Sequence, residues 1–173
     1  MRIGITCYPT YGGSGVVATE LGMELAARGH EVHFITYANP IRLDDDYPRI
    51  FYHEVHVTDY PLFQYPPYSL ALSSRMAEVA RTANLDLLHV HYAIPHSISA
   101  WLASQMVDER RLPVVTTLHG TDVTLVGMDP SYLPITRFSI EKSDGVTAIS
   151  EHLRSQTHDV LGVKRPIRVI HNS

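Results

Sequence analysis

Two local clusters in this 173-residue chain combine residue types that can do chemistry. The first is Gly12-Gly13-Ser14-Gly15. It lies between an apolar run, Arg2-Ile-Gly-Ile-Thr-Cys7, and a segment in which Val17, Leu21 and Leu25 recur four residues apart. Glycine tolerates positive φ and lets a ligand approach the backbone closely. If the run is a strand and the segment a helix, the loop presents backbone N–H groups at a helix N-terminus, where the macrodipole favours an anion. Ser14 can cap that helix or bind the anion. On the loop alone two readings stay open, an anion site or a tight strand-to-helix turn with Ser14 as an ordinary cap. The spacing is neither a dinucleotide fingerprint, since no glycine stands three residues beyond Gly15, nor a P-loop, since no Gly-Lys-Ser/Thr follows.

The second cluster is Thr116-Thr-Leu-His119-Gly120-Thr-Asp122. Gly120 permits an unusual backbone angle, so His119 can turn into a cleft. Asp122 could fix the imidazole tautomer, or cap the next helix. Strand alternation sends Thr116 and Thr117 to opposite faces, so only one faces a cleft floor easily. His89 and His91 share a strand face. With His96 or His119 they could hold a metal, but no helical His-Glu-x-x-His and no cysteine pair is present, so no metal is expected. One of these histidines is expected in the core and another at the cleft mouth. Asp44, Asp45 and Asp46 read as a solvated loop, because no further cation ligands have the right spacing. No serine or cysteine has the surroundings of a nucleophile. An enzyme built on these residues would work by positioning and electrostatics.

Strands and helices alternate along the chain. Strands are predicted at Arg2–Cys7, Glu31–Thr36, Ile50–Val57, Leu85–His91, Val114–Leu118, Asp144–Ile149 and Arg168–Ile170. Helices are predicted after Gly15, ending before Gly29, over Ser69–Thr82, over His96–Glu109 with Pro95 at its first turn, over Pro134–Ser143, and from Ser150 as N-cap. Asp59–Tyr68, with Pro61, Pro66 and Pro67 among Tyr60, Phe63, Tyr65 and Tyr68, cannot be regular structure. Such a loop lines a site, meets a partner (a homo-oligomer contact among the possibilities) or packs on its own aromatics. This alternation implies an α/β fold, a Rossmann-like, doubly wound, mostly parallel sheet. Ligands bind such sheets beyond the carboxyl ends of the strands. That rule selects Gly12–Gly15, His91–Tyr92, Thr117–Asp122, Ser150 and Asn172.

Composition bounds the rest. The length suits one domain, and 45% apolar residues mark a globular chain. A net charge of −4 with no basic block argues against nucleic acid or an anionic membrane as partner. Cys7 is the sole cysteine, so no intrachain disulfide can form. With no signal-peptide pattern and no apolar run long enough to span a membrane, a cytoplasmic location is the default expectation. The last predicted strand runs into His171-Asn172-Ser173 with no helix after it. The chain is therefore expected to be the first half of a longer protein.

Four stretches taken together resemble the family-4 retaining glycosyltransferases of GT-B fold. They are Cys7-Tyr-Pro-Thr-Tyr-Gly-Gly-Ser-Gly-Val-Val-Ala-Thr-Glu-Leu-Gly22, His89-Val-His-Tyr-Ala-Ile-Pro-His96, Thr116-Thr-Leu-His-Gly-Thr-Asp122 and Ile170-His-Asn-Ser173. The Phe63-x-Tyr65-Pro-Pro-Tyr68 loop fits the subgroup of that family in the bacillithiol pathway. The resemblance implies that residues 1–173 are the N-terminal, acceptor-binding domain, and that a C-terminal domain holding most of the nucleotide sugar lies outside this chain. It implies transfer of N-acetylglucosamine from UDP-N-acetylglucosamine to L-malate with retention, without metal or other cofactor. By position, Gly12, Gly13, Ser14 and Gly15 would face the donor diphosphate and an acceptor carboxylate. Tyr92, Thr116 or Thr117, and Asn172 would hold malate. His119 matches the family histidine that contacts the donor sugar, with Asp122 beside it. The resemblance does not make His119 a proton-abstracting base, and the paired carboxylates of glycoside hydrolases are not visible. A relative with another acceptor, or a non-catalytic anion- or nucleotide-binding domain, are the competing readings.

Overall fold

The computed structural model describes every residue except Tyr11, Asp45 and Ser173. Among the described residues seven strands, all parallel, form one sheet. They are β1 (Arg2–Thr6), β2 (Glu31–Thr36), β3 (Ile50–Glu54), β4 (Leu87–His91), β5 (Val114–Leu118), β6 (Gly145–Ala148) and β7 (Arg168–Val169), in the order β3-β2-β1-β4-β5-β6-β7. The helices are α1 (Gly13–Ala27), α2 (Tyr68–Thr82), α3 (Ile98–Met106), α4 (Leu133–Lys142) and α5 (Glu151–Asp159). Single wide helical turns at Ala93–Ser97 and Asp122–Val126 follow β4 and β5. The first takes Pro95 out of α3, which starts later than the sequence predicts. This is the doubly wound, parallel α/β sheet that the alternation of strands and helices predicts.

Alternation along each strand divides the core. Leu88, Val90 and Val114 face α2 and α3 in one cluster with Ile35, Leu72 and Met76. Leu118, Val146 and Ala148 meet Ile140 and Leu153 of α4 and α5. Ile3, Ile5, Val32 and Phe34 meet Ala18 and Ala26 of α1. Val115 and Thr117 fall between the inward positions of β5, so with His89, His91 and Thr147 they share the face on which α1 packs. A cavity of about 800 Å³ lies there, walled by α1 residues including Val17 and Leu21 and ending at Ile170, His171 and Asn172.

The apolar stripe that the spacing predicts lies along α1. The stripe Val17, Leu21, Leu25 is not its deeply buried face; Gly15, Ala18, Thr19, Gly22 and Ala26 are. Small residues let the helix lie close on the sheet, and the larger ones line the cavity flank. Ser150 caps α5 as predicted, its Oγ accepting from the Leu153 N–H at 3.1 Å. Of the three aspartates in the 39–49 loop, Asp45 lies outside the described residues. Among the described residues, no helix is long and apolar enough to cross a membrane.

Candidate functional site

Strand order reverses between β1 and β4, whose sequence-adjacent connections leave in opposite directions. A crevice therefore opens beyond their carboxyl ends. Tyr8 follows β1 and Tyr92 follows β4, and their rings meet edge to face at 5.1 Å. Tyr8 also lies 4.7 Å from the His96 ring, and Tyr92 stacks on His119 at 6.0 Å. The ends of β1, β4 and β5 are thus joined by one aromatic row.

At the β1 end, α1 begins at Gly13 with Gly12 as N-cap and no side-chain cap bond. Ser14 is therefore inside the first turn and not the cap that one sequence reading allowed. The first N–H groups of any helix lack an intrahelical partner, and here Gly12 and Gly13 are exposed. None of Gly12, Gly13 and Gly15 lies in the left-handed region, Gly12 being extended at φ 175. The reason for glycine at 15 is contact: a Cβ there would stand 2.4 Å from the Tyr8 carbonyl oxygen and 2.8 Å from that of Thr10. The loop folds back on the helix start, which fixes where the free N–H groups point. A Cβ at Gly12 or Gly13 would meet nothing within 4 Å.

At the β4 end, Tyr92 holds φ +93, a conformation that side chains with a Cβ rarely adopt and that recurs at functional sites. Its N–H donates to the Thr117 carbonyl at 3.0 Å. Its hydroxyl bonds to that of Thr121. At the β5 end, Gly120 takes φ +128 and turns the chain after His119.

Asp122 is fully buried and does not touch the His119 imidazole through any hydrogen bond among the described residues. Its carboxylate instead accepts three backbone N–H groups: Ala93 at 3.0 Å, Gly120 at 2.9 Å and His119 at 3.2 Å. It ties the loop after β4 to the loop after β5. Burial raises its pKa, and the backbone N–H bonds oppose that rise. The expectation that Asp122 sets the tautomer is thus corrected: it positions the main chain. Nor does it cap the next helical turn, whose flanking residue is Thr121.

The imidazole is met by His91, which the strand-end rule selects but to which the sequence gives no pairing with His119 beyond a possible metal site. Nδ1 of His91 and Nε2 of His119 are hydrogen-bonded at 2.8 Å. His91 stacks on His89 at 4.6 Å. Nδ1 of His96 donates to the His91 carbonyl at 2.6 Å. His89 and Thr117 are bonded at 2.7 Å, as are Thr117 and Thr147. Burial pushes His89, His96 and His119 down to about 4 and His91 well below its usual value, so these rings are neutral at pH 7. The signal was present in the i, i+2 spacing of His89 and His91, but which one meets His119 depends on β4–β5 register, in which His91 pairs with Thr117. Among the described residues, no group of three or more His, Cys, Asp or Glu could hold a metal ion.

The two threonines separate as alternation requires. Thr117 faces the cavity that Asn172 also lines. Thr116 points the other way, is fully buried, and bonds to Ser97 at 2.9 Å and Ser143 at 2.8 Å. Its placement as a substrate contact is corrected, because it faces away from the cavity and is fully buried.

Comparison with known proteins follows the same lines. A family model described as Glycosyltransferase Family 4 matches residues 11–173. The N-acetyl-alpha-D-glucosaminyl L-malate synthase of Bacillus anthracis is 59% identical over 172 residues, which is 99% of this chain and 45% of that protein. The chain therefore spans less than half the length of that relative. The solved glycosyltransferase from Rickettsia africae ESF-5 superposes with a TM-score of 0.75 at 18% identity, over 99% of this chain and 43% of that one. Anabaena Alr3699/HepE, solved in complex with UDP and glucose, gives 0.69 at 16% identity, over all of this chain and 45% of that one.

Proposed function

Because the chain belongs to glycosyltransferase family 4, we propose that it is the acceptor-binding half of a retaining enzyme that transfers N-acetylglucosamine from UDP-N-acetylglucosamine to the hydroxyl of L-malate. The observation that carries this is the relative of that activity, 59% identical along essentially the whole chain. The geometry supports it. Malate is a small dianion, and the start of α1 offers it backbone N–H groups under a favourable macrodipole. Gly12, Gly13, Ser14 and Gly15 form that start: Gly15 is closely packed, Gly12 and Gly13 are exposed, and Ser14 is half-buried. Tyr92, Thr117 and Asn172 supply further polar groups from the ends of β4, β5 and β7.

In this reading His119 meets the donor sugar while the loop meets the acceptor and the diphosphate. The neutral rings of His89, His91 and His119 and the buried Asp122 supply no cation to assist the leaving group. That role falls to the α1 N-terminus and to a donor-binding domain outside this chain. The acceptor proton passes to the leaving phosphate on the same face of the sugar, which retains the α configuration. Catalysis is then positioning and electrostatics, and neither metal nor other cofactor is required.

The test is product formation. Mixed with UDP-N-acetylglucosamine and L-malate, the 173-residue chain alone yields no glycosyl malate by mass spectrometry. The protein extended to its relative's length yields it. Transfer by the 173-residue chain alone would refute the division of labour, and an extended protein that glycosylates another acceptor in preference to malate would refute the acceptor.

A further inference from the structure

We propose that His91 is a positioning residue that fixes where His119 carries its proton: the Nδ1–H of His91 donates to Nε2 of His119, so His119 is protonated at Nδ1 and meets a bound substrate as a hydrogen-bond donor.

The inference starts from one contact and one unpaired atom. Two neutral imidazoles 2.8 Å apart must divide the roles of donor and acceptor. His91 is buried to 1% exposure, and its other nitrogen, Nε2, has no hydrogen-bond partner among the described residues. If His91 held its proton at Nε2, a buried N–H would be orphaned, which native structures rarely tolerate. With the proton at Nδ1 the donor is used and only a lone pair is left bare. His96 shows the same preference: its Nδ1 meets the His91 carbonyl, which can only accept, so its proton is at Nδ1 and its buried Nε2 is the unpaired atom.

The His91 ring has little freedom to choose otherwise. It ends β4, is stacked on His89 at 4.6 Å, and its own carbonyl is held by His96. The His119 ring lies between His91 and Tyr92, with its backbone N–H on Asp122. Once Nε2 of His119 accepts from His91, Nδ1 is the ring nitrogen available to a ligand, and it bears hydrogen. Such a ring donates to a sugar hydroxyl or a phosphate oxygen but has no lone pair with which to take a proton. The functional consequence rests on the glycosyltransferase reading above; the tautomer does not.

The test is a two-bond proton–nitrogen correlation spectrum of the chain labelled with 15N-histidine, at neutral pH. The expected pattern has protonated-type Nδ1 and imine-type Nε2 in both His91 and His119. His91→Asn keeps an amide donor near the Nδ1 position and leaves the His119 pattern unchanged. His91→Phe keeps a ring but no donor, and shifts His119 toward the Nε2–H tautomer by about fivefold, the factor one ordinary hydrogen bond is worth. An Nε2–H form of His119 in the unsubstituted protein overturns the proposal, as does an unmoved tautomer in a folded His91→Phe. If that variant does not fold, the unsubstituted spectrum and His91→Asn decide. Expected tautomers with no malate binding would leave this proposal standing and remove the functional reading. Reversed tautomers with malate binding would do the opposite.

Discussion

Replacing Asp122 isolates what joins the two loops of the site. Its carboxylate is fully buried and takes the N–H groups of Ala93, His119 and Gly120 at 3.0, 3.2 and 2.9 Å. Asp122→Ala leaves those three donors without their partner, and each buried donor left unmet costs about 1–3 kcal/mol. Two effects reduce the total: loop N–H groups can regain water, and the variant no longer buries a charge, a cost visible in the raised pKa. We expect a net loss of about 3 kcal/mol, which for a chain of this length lowers Tm by about 6–12 °C. Asp122→Asn keeps the shape and one acceptor oxygen, so His119 and Gly120 keep a partner while Ala93 faces an amide N–H. Its expected loss is about 1 kcal/mol. Urea unfolding with m held in common measures both. A loss under about 1 kcal/mol for Ala, or equal losses for Ala and Asn, would refute the assignment of Asp122 as a three-way backbone tie.

Three further outcomes follow from packing and burial. Gly15→Ala should destabilise by about 1–3 kcal/mol, because its Cβ meets backbone oxygens that cannot swing away. Gly13→Ala, whose Cβ meets nothing within 4 Å, should leave stability within about 0.5 kcal/mol; urea midpoints of the pair compare them directly. The Cys7 thiol is buried, and burial pushes it up to about 12, so a thiol reagent at neutral pH should label it only as fast as the chain opens; prompt labelling would place it at the surface. Acid should weaken the fold early. His89 and His96, at about 4 in the folded chain, bind protons more readily once unfolded, so their contribution is complete above about pH 6.5 and is lost progressively toward pH 4. Each gives at most about 1.4 kcal/mol per pH unit. His91 acts in the same direction and Asp122, whose carboxyl is raised, in the other. Urea midpoints that do not fall between about pH 7 and pH 5 would contradict this.

How much of this could be read from the sequence varies by feature. The parallel α/β frame was legible because apolar strands alternate with helices, and because Ser150 and Gly29 mark helix ends through local chemistry alone. The divergence of Thr116 and Thr117 was legible as alternation, but which one faces the crevice was not. That depends on which face α3 and α4 cover, and Thr116 is the one drawn into the Ser97 and Ser143 hydroxyls. Val17, Leu21 and Leu25 were legible as a helical stripe, but periodicity does not say how deeply a stripe is buried. The small residues beside it make the closer contact with the sheet. Asp122 and His119 are three apart in sequence, which invited a side-chain pair. The tight turn at Gly120 aims the carboxylate at N–H groups instead. The partner that His119 does have, His91, comes from 28 residues earlier through strand register, which no local pattern encodes.

The start of α1 and the end of β4 form the proposed acceptor site for L-malate. Backbone amide shifts of the labelled chain, followed by NMR during titration with L-malate, D-malate and succinate, test this site. Selective shifts at Gly13, Ser14 and Tyr92 with L-malate, smaller with D-malate and succinate, are the expected result. Equal responses to all three acids, or L-malate shifts confined to residues away from Gly13, Ser14 and Tyr92, would contradict it.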